Sequence, residues 1–223
     1  MHLATPGVAA IARVLVERDG LAPDVAETAA AISGGHVGRA RRLAKDASAR
    51  DRRRQALNLA AAARGASRGY DAGEELVKAA EADAAALSTE LDEKETDELK
   101  TALGAGGTGK GTAGALRGAV GALRELERKQ KSRRTRANRD SLDRALIDLA
   151  GLYRDALAVH WQSTVAPTHP DLADAAASLA QRISPEGLLG SLEAILGCRE
   201  AIDLNVKPRF AVAAMVASLG SAK

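Results

Sequence analysis

The stretch whose residue types and spacing come nearest to nucleotide chemistry is Gly104-Ala105-Gly106-Gly107-Thr108-Gly109-Lys110-Gly111. Gly104, four further residues and then Gly109-Lys110 reproduce the first part of a phosphate-binding loop, in which backbone N–H groups cradle an anion and the lysine meets its charge. The next position should carry a hydroxyl to hold magnesium, but it is Gly111, with Thr112 one place late. Such a loop also needs a buried hydrophobic strand before it, whereas Asp97-Glu98-Leu99-Lys100 is polar and helical in pattern. No later segment reads as a hydrophobic strand ending in acidic residues. Residues 104–112 are therefore expected to form a flexible Gly-rich loop between helices, and no cofactor is expected.

Three other constellations bear on function. Arg124, Arg128, Lys129, Lys131, Arg133, Arg134, Arg136 and Arg139 crowd one segment, 124–139. Clustered cations supply the salt-dependent part of nucleic-acid affinity, but no aromatic residue interleaves these to stack on single strands. A helix this basic cannot bury a full face, so it is expected to be solvated and to project beyond the packed body. His2, His36, His160 and His169 lie far apart and never pair at helical spacing, so no metal site is expected. No Ser, His and Asp arrangement announces a nucleophile. Finally, Ser33-Gly34-Gly35-His36-Val37-Gly38-Arg39-Ala40-Arg41-Arg42 turns on glycines and feeds arginines into a helix. That is the form of an anion site or of a tight corner between packed helices, and a packing corner is the favoured expectation.

The elements that position these residues are helices. Of the 223 residues, 46% are apolar and only 2% aromatic, so the core must be built from Ala, Leu, Val and Ile, a mixture suited to close helix packing. A net charge of +3 does not by itself imply nucleic acid. The single cysteine, Cys198, cannot form an internal disulfide, which fits a reducing cytoplasm. No apolar run is long enough to span a bilayer, and no secretory signal is seen. Thr5-Pro6 reads as a capped helix start, with Val8, Ile11, Ala12 and Leu15 inward and Gly20 as the stop. Pro23 opens a second helix with Val25, Ala29 and Ile32 inward, and a third runs over about 37–45. Ser48 with Asp51 predicts the cap of a helix reaching about Arg64. The arginines Arg50, Arg52, Arg53 and Arg54 oppose its dipole and are expected to face water or a partner. A helix over about 67–103 is carried by Leu76, Ala80, Leu87 and Leu91, with an acidic end from Glu90 to Glu98. A very long helix over 112–161 is expected to break near Asn138. Helices follow over 171–183, over 185–203 after a Ser184 cap, and over 208–219. The fold class is all-α.

Residues 31–44, Ala-Ile-Ser-Gly-Gly-His-Val-Gly-Arg-Ala-Arg-Arg-Leu-Ala, resemble the lid segment of the delta-prime family of bacterial DNA polymerase III clamp-loader subunits, most closely in its actinobacterial form. Thr5-Pro6 and Leu15-Val16-Glu17-Arg18-Asp19-Gly20 resemble the same lid's first helix. Leu142-Asp143-Arg144-Ala145-Leu146, Tyr153-Arg154-Asp155 and Asn205-Val206-Lys207-Pro208-Arg209 resemble the family's collar. The resemblance implies a three-helix AAA+ lid subdomain over 1–46 and a helical collar, or oligomerisation, domain over 47–223, starting after a nucleotide-binding module that this sequence lacks. In ATP-hydrolysing relatives the lid helix supplies a nucleotide-sensing arginine. Matching Ala40 to the family's alanine puts Gly38 at that place, beside Arg39, with Gly35 and Arg41 completing the lid motif.

The implied function is that of a non-catalytic stator fragment. It would assemble through its collar with the tau/gamma and delta subunits to load the sliding clamp in DNA replication, in the cytoplasm. DNA contact would be indirect, and no membrane, small-molecule substrate, cofactor or enzymatic activity of its own is implied. The alternative is a stand-alone basic helical protein that binds DNA through Arg124–Arg139.

Overall fold

The punctuation visible in the sequence sets most of the helix boundaries. Four of the six prolines stand at the first position of a helical element, where the missing N–H and the fixed φ cost nothing. The computed structural model describes residues 5–103 and 112–222, with side chains from Ala119 onward in the second segment. Among these residues there is no strand, and nine α-helices follow one another: α1 Val8–Asp19, α2 Pro23–Ala31, α3 Val37–Lys45, α4 Ala47–Ala62, α5 Ala66–Ala102, α6 Thr112–His160, α7 Ala173–Ala180, α8 Pro185–Asp203 and α9 Pro208–Ser221. A 3-10 turn, Pro170–Leu172, precedes α7. None of the helices is long and apolar enough to cross a membrane. The Gly-rich stretch 104–111 lies outside the described residues.

By contacts the chain divides into two compact units, one comprising residues 1–76 and 144–223 and the other residues 77–143. Within the first unit, α1, α2 and α3 enclose a small core of Ile11, Leu15, Ala26, Ala29, Ala30 and Ala40. Alanines at three of the α2 positions let the helices approach closely. Gly20 ends α1 with φ of 66°, its N–H on the Val16 carbonyl and the Leu21 N–H on the Leu15 carbonyl, a left-handed cap that favours glycine. Two expected inward residues are not inward: Val8 and Val25 are exposed, because the buried lines run through Ile11/Leu15 and Ala26/Ala29/Ala30 instead. Thr5 does not cap α1, which begins at Val8 after Gly7. Its methyl group packs on the glycine corner, where a Cβ at Gly35 would lie 2.3 Å from it. Gly34 and Gly35 both have positive φ, 64° and 87°, so conformation and space each require the corner's glycines.

α4 is capped by Asp46, not Ser48: the Asp46 carboxylate accepts the Ser48 N–H at 2.8 Å and the Ser48 hydroxyl at 2.6 Å. The bond from Ser48 is the main cause holding the Asp46 carboxyl down to about 2, despite some desolvation. The arginines of the first turns of α4 do not simply face water. Arg50 donates to the carbonyls of Leu43 and Ala44 at the end of α3 (2.8 and 3.0 Å), and Arg52 reaches back to Ser48 and Asp46 (3.0 and 3.3 Å).

The second unit is the far part of α5 against the near part of α6, running antiparallel: Asp83 meets Ser141, and Asp92 meets Gln130, Arg133 and Arg134. α6 passes Asn138 without a break. In α5, Leu76 and Ala80 are buried as expected, but Leu87 and Leu91 are exposed. The line that is buried there runs through Asp83, Ala84, Ser88 and Asp92.

Two glycines separate packing from propensity. A Cβ at Gly69 in α5 would meet Val216 at 2.8 Å and the backbone of Ala63 at 3.0 Å, whereas one at Gly197 in α8 would meet nothing within 4 Å. Gly197→Ala should therefore raise stability by up to about 1 kcal/mol, and Gly69→Ala should lower it by about 1–3 kcal/mol. Urea unfolding of the two variants checks this, and equal signs would refute it.

Candidate functional site

The glycine corner sends Arg39 and Arg41 out from the first turns of α3, and both find carboxylates. The Arg39 guanidinium donates to Asp148 of α6, whose side chain is 5% exposed. Arg41 donates through Nε to both oxygens of Asp19 at 2.8 Å, and Lys45 adds a third bond to that carboxylate at 2.9 Å. Lys45 and then Arg41 hold the Asp19 carboxyl below its usual range. Gly38 lies in the helix with open space at its Cβ. The corner is thus a packed junction whose arginines are already paired, and neither is turned toward a bound anion.

Asp148 leads to a buried polar cluster that the spacing of residues in the sequence did not announce. His169 is 2% exposed. Its Nε2–H donates to the Asp148 backbone carbonyl at 2.8 Å, while Nδ1 accepts from Arg53 of α4 at 2.9 Å, partners that assign the neutral Nε2–H tautomer. Arg53 also grips both oxygens of Asp171, at 2.7 and 2.9 Å. Asp155, one further buried carboxylate of α6, accepts the backbone N–H groups of Thr168 and His169 at 2.8 Å each. Arg154 ties in Asp155, the Ala166 carbonyl and Thr168 (2.9, 3.0 and 3.1 Å). The segment between α6 and α7 is thereby fastened to α6, and α4 to both.

Burial, then the positive Arg53 beside it, push the His169 imidazole below its ordinary 6.5. Arg53 likewise keeps the Asp171 carboxyl below its usual range, against the opposing effect of burial. Both ring nitrogens of His169 are occupied within the fold, so this histidine has no free lone pair or proton to offer a substrate. The sequence signal for the cluster was Gly151: a Cβ there would lie 2.7 Å from His169 Nε2, so only glycine lets the ring lie against α6.

The basic segment splits into two populations. Arg133 donates to Asp92 at 2.7 Å and to both oxygens of Glu95 at 3.0 and 2.5 Å. Arg134 reaches the other oxygen of Asp92 at 2.8 Å, and Gln130 donates to the Asp92 carbonyl at 2.9 Å. Asp92 is buried, yet the two arginines outweigh the desolvation that would raise its pKa and hold it below the usual range. These two arginines pair across the seam while staying partly exposed, Arg133 at 36% and Arg134 at 51%. Arg128 pairs along its own helix with Glu125 at 2.5 Å, and Arg139 is half-buried. Arg124, Lys129, Lys131 and Arg136 are exposed and make no ion pair among the described residues.

The last two helices present a different surface. α8 buries Leu188, Ile195, Cys198 and Ile202 but exposes Leu189 and Leu196, seven residues apart on its outer side. The turn that follows exposes Leu204 and Val206, with Asn205 at φ 68°, and α9 opens on exposed Phe210. Arg209 lies 4.5 Å above the Phe210 ring. Among the described residues no three His, Cys, Asp or Glu side chains are grouped to hold a metal ion. No family model matches this chain, and neither does any curated protein or any solved structure.

Two outcomes follow from these clusters. Unfolded, the His169 ring takes a proton near 6.5; folded, it does so only at lower pH. The unfolded chain therefore binds more protons in that window, so the stability His169 contributes is complete above about 6.5 and is lost as pH falls. Urea midpoints should fall from pH 7 to pH 5 more steeply in the parent than in His169→Gln, and parallel curves would remove His169 from the cause. Asp92→Ala should free Arg133 and Arg134 and lower amide protection within 77–143 while leaving α1–α3 protected, as hydrogen exchange would show.

Proposed function

We propose that this chain is a non-catalytic assembly element of the delta-prime kind, a lid and collar that hold a clamp-loader ring together. The observation that carries the reading is the exposure of five large apolar side chains, Leu189, Leu196, Leu204, Val206 and Phe210, along α8, its following turn and the start of α9. Large apolar side chains left exposed on successive elements favour association with another protein. Neighbouring collar helices of tau/gamma or delta type would cover them. The pairing of Arg39 with Asp148 supports a stator role, because the α3 arginine nearest the sensing position is engaged by a buried carboxylate of α6. The mechanism is binding, in the cytoplasm, with no step of chemistry assigned to any residue and DNA reached through the assembled ring.

Mixing the chain with the collar region of a tau/gamma subunit in size-exclusion chromatography tests this. A complex is expected, and Leu196→Glu combined with Phe210→Ser should weaken it at least about 10-fold, since both side chains are exposed and their loss leaves the fold intact. Absence of a complex at every salt concentration would defeat the proposal.

A further inference from the structure

The pairing of α5 with α6 sorts the basic residues of α6 by role, and the sorting points to a ligand. Arg133 and Arg134 turn to the seam and meet Asp92 and Glu95. At 100° per residue, Arg124, Arg128, Lys131 and Thr135 fall within about 60° of one another and Lys129 and Arg136 lie about 80–160° further round, so that all six stand within about 80° of the direction opposite Gln130. All six are exposed. The segment from Arg124 to Arg136 is about 18 Å long at 1.5 Å per residue, and its exposed positions carry no apolar side chain.

We propose that this outer side of α6 binds the phosphate backbone of duplex nucleic acid without reading its base sequence. A duplex presents one negative charge per about 1.7 Å of axis, so a stripe of this length faces several phosphates at once. A protein partner would be anchored by apolar or aromatic groups in a desolvated centre, and the stripe offers none. A single strand would be held by stacking on aromatic rings, and the described part of α6 up to residue 143 has no aromatic residue. The acidic residues Glu90, Glu93, Asp97 and Glu98 are exposed on the other helix of the pair, while Glu125 and Glu127 flank the stripe and Glu125 already holds Arg128. The charge left for a ligand is thus that of Arg124, Lys129, Lys131 and Arg136. This inference stands apart from the assembly reading, since it needs no partner protein.

Fluorescence anisotropy of the whole chain with a labelled random-sequence duplex of about 20 base pairs tests it. Four phosphate contacts predict a slope of log K against log salt near −3.6, hence about 100-fold weaker binding at 200 mM than at 50 mM salt. Replacing Arg124, Lys129, Lys131 and Arg136 together by Gln should abolish most of the binding and flatten the slope. The double reversal Lys131→Glu with Arg136→Glu, which removes the same net charge at two positions, should weaken it at least about 10-fold, and circular dichroism should show unchanged helix content in both. A control that removes the same net charge elsewhere, Arg13, Arg18, Arg64 and Arg68 all to Gln, should bind within about 2-fold of the parent. Equal loss in that control, no binding of the parent at low salt, tighter binding of a single strand of the same length, or displacement by polyglutamate at equal charge concentration would each overturn the proposal.

Discussion

The structure of the first unit depends on one buried carboxylate. Asp148 lies in a stretch of α6 that is buried around its circumference, with Leu146, Leu149, Leu152, Tyr153 and Ala156 all inside. A charge in such a place is costly unless it is paired, and removing one partner leaves the other exposed to the full penalty. Arg39 supplies the pair from α3, and the carbonyl of the same residue holds His169, which holds Arg53 of α4. Asp155, seven residues on and so on the same side of α6, repeats the arrangement with the N–H groups of Thr168 and His169. Apolar packing of alanine and leucine would tolerate several placements of these helices. A buried carboxylate with directional partners tolerates one, which is how α3, α4 and the segment before α7 acquire fixed positions on α6.

The second unit reaches a defined register by a related route with far less apolar surface. Its buried line in α5 is Asp83, Ala84, Ser88 and Asp92, a sequence that by hydrophobicity alone would not specify a partner. The contacts Asp83–Ser141 and Asp92–Arg133 are separated by nine residues on α5 and eight on α6, so the two ends of the seam fix the same antiparallel alignment. Slipping the helices by one turn would break the pairs that Asp92 makes with Arg133 and Arg134 and part Asp83 from Ser141. Polar pairing here sets register more than it adds stability, a division of labour familiar from polar positions in coiled coils.

Much of this was legible in the sequence, and the failures have a common cause. Helices α2, α8 and α9 begin at their prolines and α1 ends at Gly20, because these signals act within one or two residues of the boundary. Asp46 and Ser48 are both side chains that can cap α4, and only the geometry shows that Ser48 serves as a donor to Asp46. Leu87 and Leu91 looked like a core stripe because they are apolar at helical spacing, yet the face that meets α6 is the one carrying Asp92, since Arg133 and Arg134 stand opposite. The acidic run of α5 and the basic run of α6 were each visible alone. What was not visible was that they complement each other, because a pairing between residues some forty positions apart leaves no local pattern. The same holds for His169, whose partners come from α4 and α6; its one trace in the sequence was Gly151, a glycine inside a leucine-rich helix with no turn to make.

The absence of local pattern also explains why the corner at Ser33–Ala40 was ambiguous. Glycines with positive φ followed by arginines describe an anion cradle and a packed junction equally well, since both need close approach and both place positive charge at a helix start. What separates them is whether the charge is already neutralised by the protein. Arg39 and Arg41 are each held by a carboxylate, and Asp148 is too buried to release Arg39 without being left unpaired itself. A ligand anion would therefore have to displace an internal carboxylate and leave it desolvated, a penalty of several kcal/mol that a solvent-exposed phosphate contact does not recover. The exposed cations of α6 face no such competition. Binding by charge in this protein is for that reason expected along α6 and not at the corner, although the corner carries the more suggestive sequence.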